Sequence, residues 1–306
     1  MKRFIRPTIA LLVFVLCLSL VVSATGENCA PVAENLELTT YRGVSVGGRL
    51  SAIDPDGDTL TFEIVTPPNK GEIELGDDGC FVYTPAEGRK GKDYFGYKAV
   101  DSQGNCSQEA TVIIRIVKQK TKVCYSDMSG SPSEYSAVML AENGIFVGEN
   151  LAGQYVFSPD SEVSRAEFLS MCMKLTGVEL LGDVTATGFA DDAEIYDWLK
   201  PYVSTALKCG IISGYSDRGS AAVFDCSRPV SVSEAAVILD KTLDLTDTAS
   251  VWVDYEETVP VWASQSAANL TACGMIPYNV SLCSPSLTRA QAADMLVEAA
   301  RILDNR

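Results

Sequence analysis

Arg165 and Arg289 stand at places where a helix gains nothing from a cation. Each follows a hydroxyl residue and precedes, by two positions, a carboxylate or amide: Ser164-Arg165-Ala166-Glu167 and Thr288-Arg289-Ala290-Gln291. A Ser/Thr followed three residues later by Glu/Gln is the capping box that starts a helix, the two side chains satisfying reciprocal backbone N–H groups. An arginine in that first turn faces the positive end of the helix dipole. Beside free backbone donors, however, a guanidinium suits a carboxylate or phosphate. Ser231-Val232-Ser233-Glu234 repeats the box without the arginine. Ser164, Glu167, Ser231, Glu234, Thr288 and Gln291 therefore read as capping residues, and Arg165 and Arg289 as contacts for an anionic ligand.

A second set of groups lies in Asp54-Pro55-Asp56-Gly57-Asp58, with Asp101 able to join from another loop. Alternating carboxylates around a glycine are hard oxygen ligands that suit calcium. The spacing lacks the closing Glu of a twelve-residue calcium loop. A tight turn whose Asp side chains bond their own backbone explains the same residues and is the favoured reading. Calcium at Asp54, Asp56, Asp58 and Asp101 is the alternative, and no other cofactor is expected.

The composition removes much other chemistry. The chain has no histidine, so Ser-His-Asp and Cys-His catalysis and the commonest zinc ligand are absent. No pair of acids is set in a pattern that argues for carboxylate-pair hydrolysis, and an enzyme is not expected. Basic residues number 24 against 40 acidic, a net charge of -16. Lys2, Arg3 and Arg6 precede an apolar run from Ile9 to Val22 that ends in Val22-Ser23-Ala24, the pattern of a secretory signal peptide over residues 1–24. Without those three bases, 21 face 40 acids, a net charge of -19 that excludes nucleic acid and anionic membrane as partners. No second long apolar run follows, so no membrane partner is expected after cleavage.

The elements that must position these residues fall into two parts. From residue 27 to 118, runs such as Thr59–Val65, Gly71–Leu75, Cys80–Tyr83 and Thr111–Ile116 alternate with period two between turn segments. About seven short strands in about 90 residues predict a β-sandwich. A basic linker follows (residues 119–124, with Lys120 and Lys122), and then the pattern turns helical. Tyr125-Ser-Asp127, Phe189-Ala-Asp191 and Trp252-Val-Asp254 each lead a segment that continues through Gly144-Ile145, Gly210-Ile211 or Gly274-Met275 to one of the capping boxes. The lead aspartates are 64 and 63 residues apart, which marks three internal repeats. Trp198, Val203, Ala206 and Leu207 are expected on one helical face, as are Trp262, Ala267 and Leu270, with each glycine capping its helix.

Both parts resemble known families. Asp54-Pro-Asp-Gly-Asp, Gly79-Cys-Phe-Val-Tyr-Thr-Pro and Asp93-Tyr-Phe-Gly-Tyr-Lys-Ala-Val-Asp101 resemble bacterial cadherin-like repeats of immunoglobulin-type fold, which are spacers or adhesive units on exported proteins. The order aromatic-x-Asp, Trp, Gly-Ile, Thr/Ser-Arg-Ala-Glu resembles the S-layer homology family. The resemblance implies an all-β, immunoglobulin-like sandwich followed by an all-α, three-repeat bundle at 125–180, 187–247 and 250–306. It also implies a surface protein, secreted to the cell wall or S-layer and held without a covalent bond to a secondary cell-wall polymer, often pyruvylated. Lattice or surface-protein partners are allowed. In this frame Arg165 and Arg289 would hold the anionic sugar and Trp198 and Trp262 would pack on a sugar ring, although helix packing explains the tryptophans equally. Asp127, Asp191 and Asp254 would lie near the pocket, or fix loops. The alternative is an adhesin whose sandwich binds a protein or glycan while the repeats serve packing or oligomerisation.

Two departures qualify the pattern. Val232 replaces the arginine of the second repeat, and Pro132 stands where the others have Trp198 and Trp262. One or two working sites are therefore expected. Cys209 and Cys226 flank the loop of the second repeat and Cys273 and Cys283 that of the third, predicting two local disulfides worth about 2–4 kcal/mol each. Partners for Cys29, Cys80, Cys106, Cys124 and Cys172 stay open.

Overall fold

The computed structural model describes residues 28–216, 221–246, 259–277 and 280–304. The expected export segment (1–24), Trp252 and Asp254 lie outside them. The first part is built of β1 (Val32–Ala33), β2 (Leu36–Tyr41), β3 (Val46–Arg49), β4 (Ala52–Ile53), β5 (Thr61–Thr66), β6 (Gly71–Leu75), β7 (Cys80–Pro85), β8 (Gly91–Val100) and β9 (Ala110–Val117). One sheet runs β2-β9-β8-β5 and the other β3-β7-β6, while β1 and β4 pair separately. All these pairings are antiparallel except β2 with β9, which is parallel. Alternation decides the faces. In β9, Ala110, Val112, Ile114 and Ile116 point into the core while Thr111 and Arg115 point out. Phe81 and Phe95 meet edge to face across that core, 5.3 Å between centroids.

The second part contains α1 (Glu134–Glu142), a hairpin of β10 (Glu149–Leu151) and β11 (Gln154–Val156), α2 (Arg165–Thr176), α3 (Lys200–Lys208), α4 (Val232–Leu243), α5 (Ser264–Ala272) and α6 (Arg289–Asp304). A ring of backbone hydrogen bonds joins the segments that enter α2, α4 and α6. Val163 N donates to Leu287 O at 2.9 Å, Leu287 N to Val230 O at 3.0 Å, and Val230 N to Val163 O at 2.9 Å. All three side chains are buried. Each of the three stubs is thereby paired with the other two, and α2, α4 and α6 each begin just after the ring. Among the described residues, no helix is long and apolar enough to cross a membrane.

Several expectations need correction. Helix α3 starts at Lys200, so Trp198 precedes it and is 57% exposed, and Leu207 is also exposed; only Val203 and Ala206 are core. Trp262 lies in a 3-10 turn (Val261–Ala263) and is 61% exposed, whereas Ala267 and Leu270 are buried. Helix-core packing is therefore not the role of either tryptophan. The Cys209–Cys226 disulfide is not made: Cys209 is an exposed thiol at the end of α3, and Cys226 is buried with its Sγ donating to the Glu194 carbonyl at 3.4 Å. The Cys273–Cys283 bond is not made either, Cys273 being an exposed thiol at the end of α5.

Candidate functional site

The capping boxes fix where the arginines sit. At α2, Glu167 N donates to Ser164 Oγ (3.2 Å) and Ser164 N to Glu167 Oε2 (2.9 Å). The same exchange links Ser231 with Glu234 at 3.2 and 3.1 Å, and Thr288 with Gln291 at 3.3 and 3.0 Å. The first helical residue is then pointed toward the neighbouring segment. Arg165 N donates to Arg228 O at 2.9 Å and Arg289 N to Ser161 O at 2.9 Å.

Arg165 is the more unusual of the two. It is only 6% exposed, lies 4.7 Å from the Tyr215 ring centroid and 5.4 Å from that of Phe224, and has Glu234 Oε1 at 3.8 Å. Its Nε is buried without a hydrogen-bond partner among the described residues. Desolvation lowers its pKa against the help of Tyr215 and Glu234. Around it, Arg228 Nη2 donates to Glu234 Oε1 (2.6 Å) and to the Tyr215 hydroxyl, which in turn donates to Glu234. Burial, then this bond to Glu234, push the Tyr215 hydroxyl up to about 12. Burial opposes ionisation of Glu234, but Tyr215, Ser231 N–H and Arg228 outweigh it and leave its pKa lowered. The glutamate read as a cap is thus also the counter-ion of the preceding segment's arginine.

Arg289 shares the buried Nε without a partner among the described residues, but its two Nη groups have a different setting. Its Nη1 donates to Phe157 O at 3.0 Å and lies 3.6 Å from Glu149 Oε1, with Glu167 Oε1 3.9 Å from Nη2 and the Phe146 ring centroid 5.3 Å from Cζ. Val232, where a third arginine would stand, is fully buried.

The lead aspartates hold loops. Asp127 accepts from Phe157 N (2.9 Å) and Ser158 N (2.6 Å), and Asp191 from Phe224 N and Asp225 N (both 2.8 Å). Ser158 and Asp225 have φ of 56° and 57°, left-handed turns of one shape stabilised in one way. Gly148 and Gly214 match too: a Cβ there would lie 2.5 Å from Val156 O and 2.4 Å from a Phe189 ring carbon. Trp198 makes its ring contact with Tyr202 (6.3 Å), on an exposed surface. Sequence reading passed over Tyr215, Phe224, Arg228 and Glu149. The available signal was Tyr215 five residues after Gly210, with Glu149 in the matching place after Gly144.

In the sandwich, Asp54, Asp58 and Asp101 each bring a carboxylate oxygen within 4.8 Å of the others. Asp54 Oδ1 accepts from Asp56 N (2.9 Å) and Asp58 N (3.2 Å), the expected tight turn. Asp54 Oδ2 and Asp58 Oδ2, however, are buried with no partner among the described residues. Asp56 is turned away, its Oδ2 accepting from Cys29 N at 2.7 Å. Hydrogen bonds from Asn105, Gln103 N–H and Asn28 overcome desolvation and lower the pKa of Asp101. Close carboxylates with unused buried oxygens fit a calcium ion in their donor set.

Two stretches of the chain are similar to known domain families. Residues 28–118 match the model of the bacterial cadherin-like domain, and residues 188–219 that of the S-layer homology domain. The chain is 26% identical over 156 residues to the surface-layer 125 kDa protein of Lysinibacillus sphaericus, a match covering 50% of this chain and 13% of that one. It is 23% identical over 262 residues to an amylopullulanase of Thermoanaerobacterium thermosulfurigenes, covering 84% and 13%. The chain thus spans 13% of the length of each relative. Among solved structures, the SrpA adhesin of Streptococcus sanguinis is similar at 19% identity and a TM-score of 0.27, over 40% of this chain and 78% of that one. An endo-fucoidan hydrolase of glycoside hydrolase family 107 is similar at 23% and 0.26, over 31% and 14%. The S-layer homology segment and the surface-layer relative support a cell-surface location and a wall-anchoring role.

Proposed function

We propose that this chain is a non-catalytic surface protein held non-covalently to an anionic secondary cell-wall polymer by three S-layer homology repeats (125–180, 187–247 and 250–306), with the sandwich at 27–118 as spacer or adhesive module. The observation that carries the reading is Arg165: a buried guanidinium with an unpartnered Nε, set at a helix start against an aromatic ring. An anion entering there gains a charge-assisted bond and a helix N-terminus at once. The exposed Trp198 and Trp262 supply flat apolar surface for sugar rings. The closed backbone ring, the matched Asp127 and Asp191 loops and the three capping boxes support the threefold repeat. The S-layer homology match at 188–219 and the surface-layer relative support the choice of ligand class.

In the same reading, Asp54, Asp58 and Asp101 would hold calcium in the sandwich, and the two unpartnered oxygens support it. The ion would neutralise clustered charge and tie the loop after β4 to the loop after β8.

The test is co-sedimentation of the secreted chain with purified sacculi that retain or lack their secondary polymer. Binding only to polymer-bearing sacculi is the expected result. Equal recovery with both kinds, or with neither, would sink the anchoring role.

A further inference from the structure

The three junctions between segments are not equivalent, although the repeat predicts that they should be. Where the first segment meets the second, Arg165 faces Glu234 at 3.8 Å; where the third meets the first, Arg289 faces Glu167 at 3.9 Å. By the same rotation the second should meet the third through positions 232 and 291. Those residues are Val232 and Gln291: the cation and its counter-ion are missing together. At these two positions the third junction carries no charge.

The two charged junctions differ in what surrounds the arginine. Beside Arg289, Glu149 stands where Tyr215 stands in the other junction, five residues after the matching glycine. Glu149 and Glu167 both lie within 4 Å of the Arg289 guanidinium and Phe157 O accepts from its Nη1 at 3.0 Å, so its Nη groups are answered from within, while its Nε, like that of Arg165, is buried without a partner among the described residues. Beside Arg165 there is instead a second cation. Arg228 lies three residues before Ser231, where the first segment has Ser161, and its Cζ is 4.6 Å from the ring centroid of the same Tyr215 that Arg165 overlies. Glu234 and Tyr215 hold it by hydrogen bonds, and its side chain remains 36% exposed. Asp225 lies 3.4 Å from its Nε. Two guanidiniums thus face two carboxylates at this junction, against one facing two at the other.

We propose that the junction of the first and second segments is the working anion site, and that Arg228, outside the repeated motif, is its specificity-determining second cation. The ligand class is a carboxylate or phosphate carried on a polymer sugar. Tyr215, fixed by Arg228 and Glu234, spaces the buried guanidinium of Arg165 from the exposed one of Arg228. The anion entering at Arg165 is thereby met from two directions. The proposal rests on the anchoring reading given above.

The experiment compares the secreted chain with Arg228→Ala, Arg228→Lys and Arg289→Ala, titrated against polymer-bearing sacculi. Far-ultraviolet circular dichroism and a melting curve for each variant establish that it is folded. Arg228→Ala is expected to weaken binding about tenfold or more, Arg228→Lys to recover part of the loss, and Arg289→Ala to cost about twofold at most; tenfold corresponds to about 1.4 kcal/mol. If folded Arg228→Ala binds as the parent does, or if Arg289→Ala is the more damaging, the assignment is wrong. Adding Glu149→Tyr and Ser161→Arg to folded Arg228→Ala supplies a second measure: regained binding supports the assignment, and no gain counts against it. Sacculi with amidated carboxylates separate the two anion sources, loss of binding identifying a carboxylate and retention a phosphate. Failure of the unsubstituted chain to bind any polymer-bearing wall would be a failure of the anchoring reading itself, seen before any variant is compared.

Discussion

At the residue scale, Glu167 and Glu234 each satisfy two unlike demands. One oxygen of Glu234 takes the Ser231 N–H and the other takes Arg228 and Tyr215. Gln291 shows that an amide can serve the first demand alone. Glu234→Gln should therefore keep the helix start of α4 while releasing the arginines, at a cost of about 1–3 kcal/mol in the helical part. The pH dependence has a definite sign. The Glu234 pKa is below its ordinary 4.5 in the folded chain, so its contribution is full above that value and is lost as pH falls through the lowered one. Melting curves from pH 6 down to about pH 3 should be flatter for Glu234→Gln than for the parent. The calcium reading belongs to the same scale: calcium should raise the melting temperature of the chain over that in chelator, and Asp58→Asn should abolish the difference. An identical calcium response in Asp58→Asn would exclude that site.

At the scale of elements, what could be read in the sequence was what local chemistry decides. The starts of α2, α4 and α6 follow Ser164, Ser231 and Thr288 because a capping box is complete within four residues. The strands β5, β6, β7 and β9 follow the period-two runs because their two faces differ in exposure, one face being half-buried in β5 and β6 and buried in β7 and β9. The hairpin β10–β11 and the exposure of Trp198 were not legible, since each depends on contacts made at long range. The Arg165 site was half legible: the guanidinium shows in the motif, but Tyr215 and Arg228 reach it only once the segments close their ring. The turn glycines separate local from distant causes. Gly210 and Gly214 have φ of +73° and +74°, but a Cβ on Gly210 meets nothing within 4 Å, while one on Gly214 meets Phe189 at 2.4 Å and Val223 O at 2.8 Å. Gly210→Ala should cost the left-handed strain alone, about 1–2 kcal/mol. Gly214→Ala should cost clearly more in the same urea titration, because backbone must also move. Equal costs would mean that the Asp191 loop yields freely.

At the scale of the whole molecule, the sandwich and the helical part are joined by fitted backbone. Gly47 N of β3 donates to Pro132 O at 2.9 Å, and Tyr135 N donates to Ser45 O at 3.1 Å. Glu134 Oε2 accepts from Ser45 N (3.0 Å) and Gly130 N (3.2 Å), and the rings of Tyr41 and Tyr135 lie 5.4 Å apart. The basic linker is tied down as well, with Lys120 N and Thr121 N on the Glu142 carboxylate at 2.6 and 2.7 Å. The contact accounts for Pro132 in the place of a tryptophan: that position of the first segment is occupied by the sandwich. Burial raises the pKa of Glu134 in spite of its two backbone bonds. Its raised pKa adds stability that is full below the ordinary carboxylate value and is lost as pH rises through the folded one. Glu134→Gln, whose single amide oxygen can take both N–H groups, should make the junction less pH-dependent and no weaker at neutral pH. Gly47 gives the sharper prediction. A Cβ there would lie 2.7 Å from the Pro132 Cβ and 3.0 Å from its carbonyl oxygen, so Gly47→Ala must push the two parts apart. Fitted parts should unfold together, and separated ones independently. Calorimetry of the unsubstituted chain should give one transition, and of Gly47→Ala two, the sandwich melting apart from the helices. Two transitions already in the unsubstituted chain would mean that the contact is too weak to couple them.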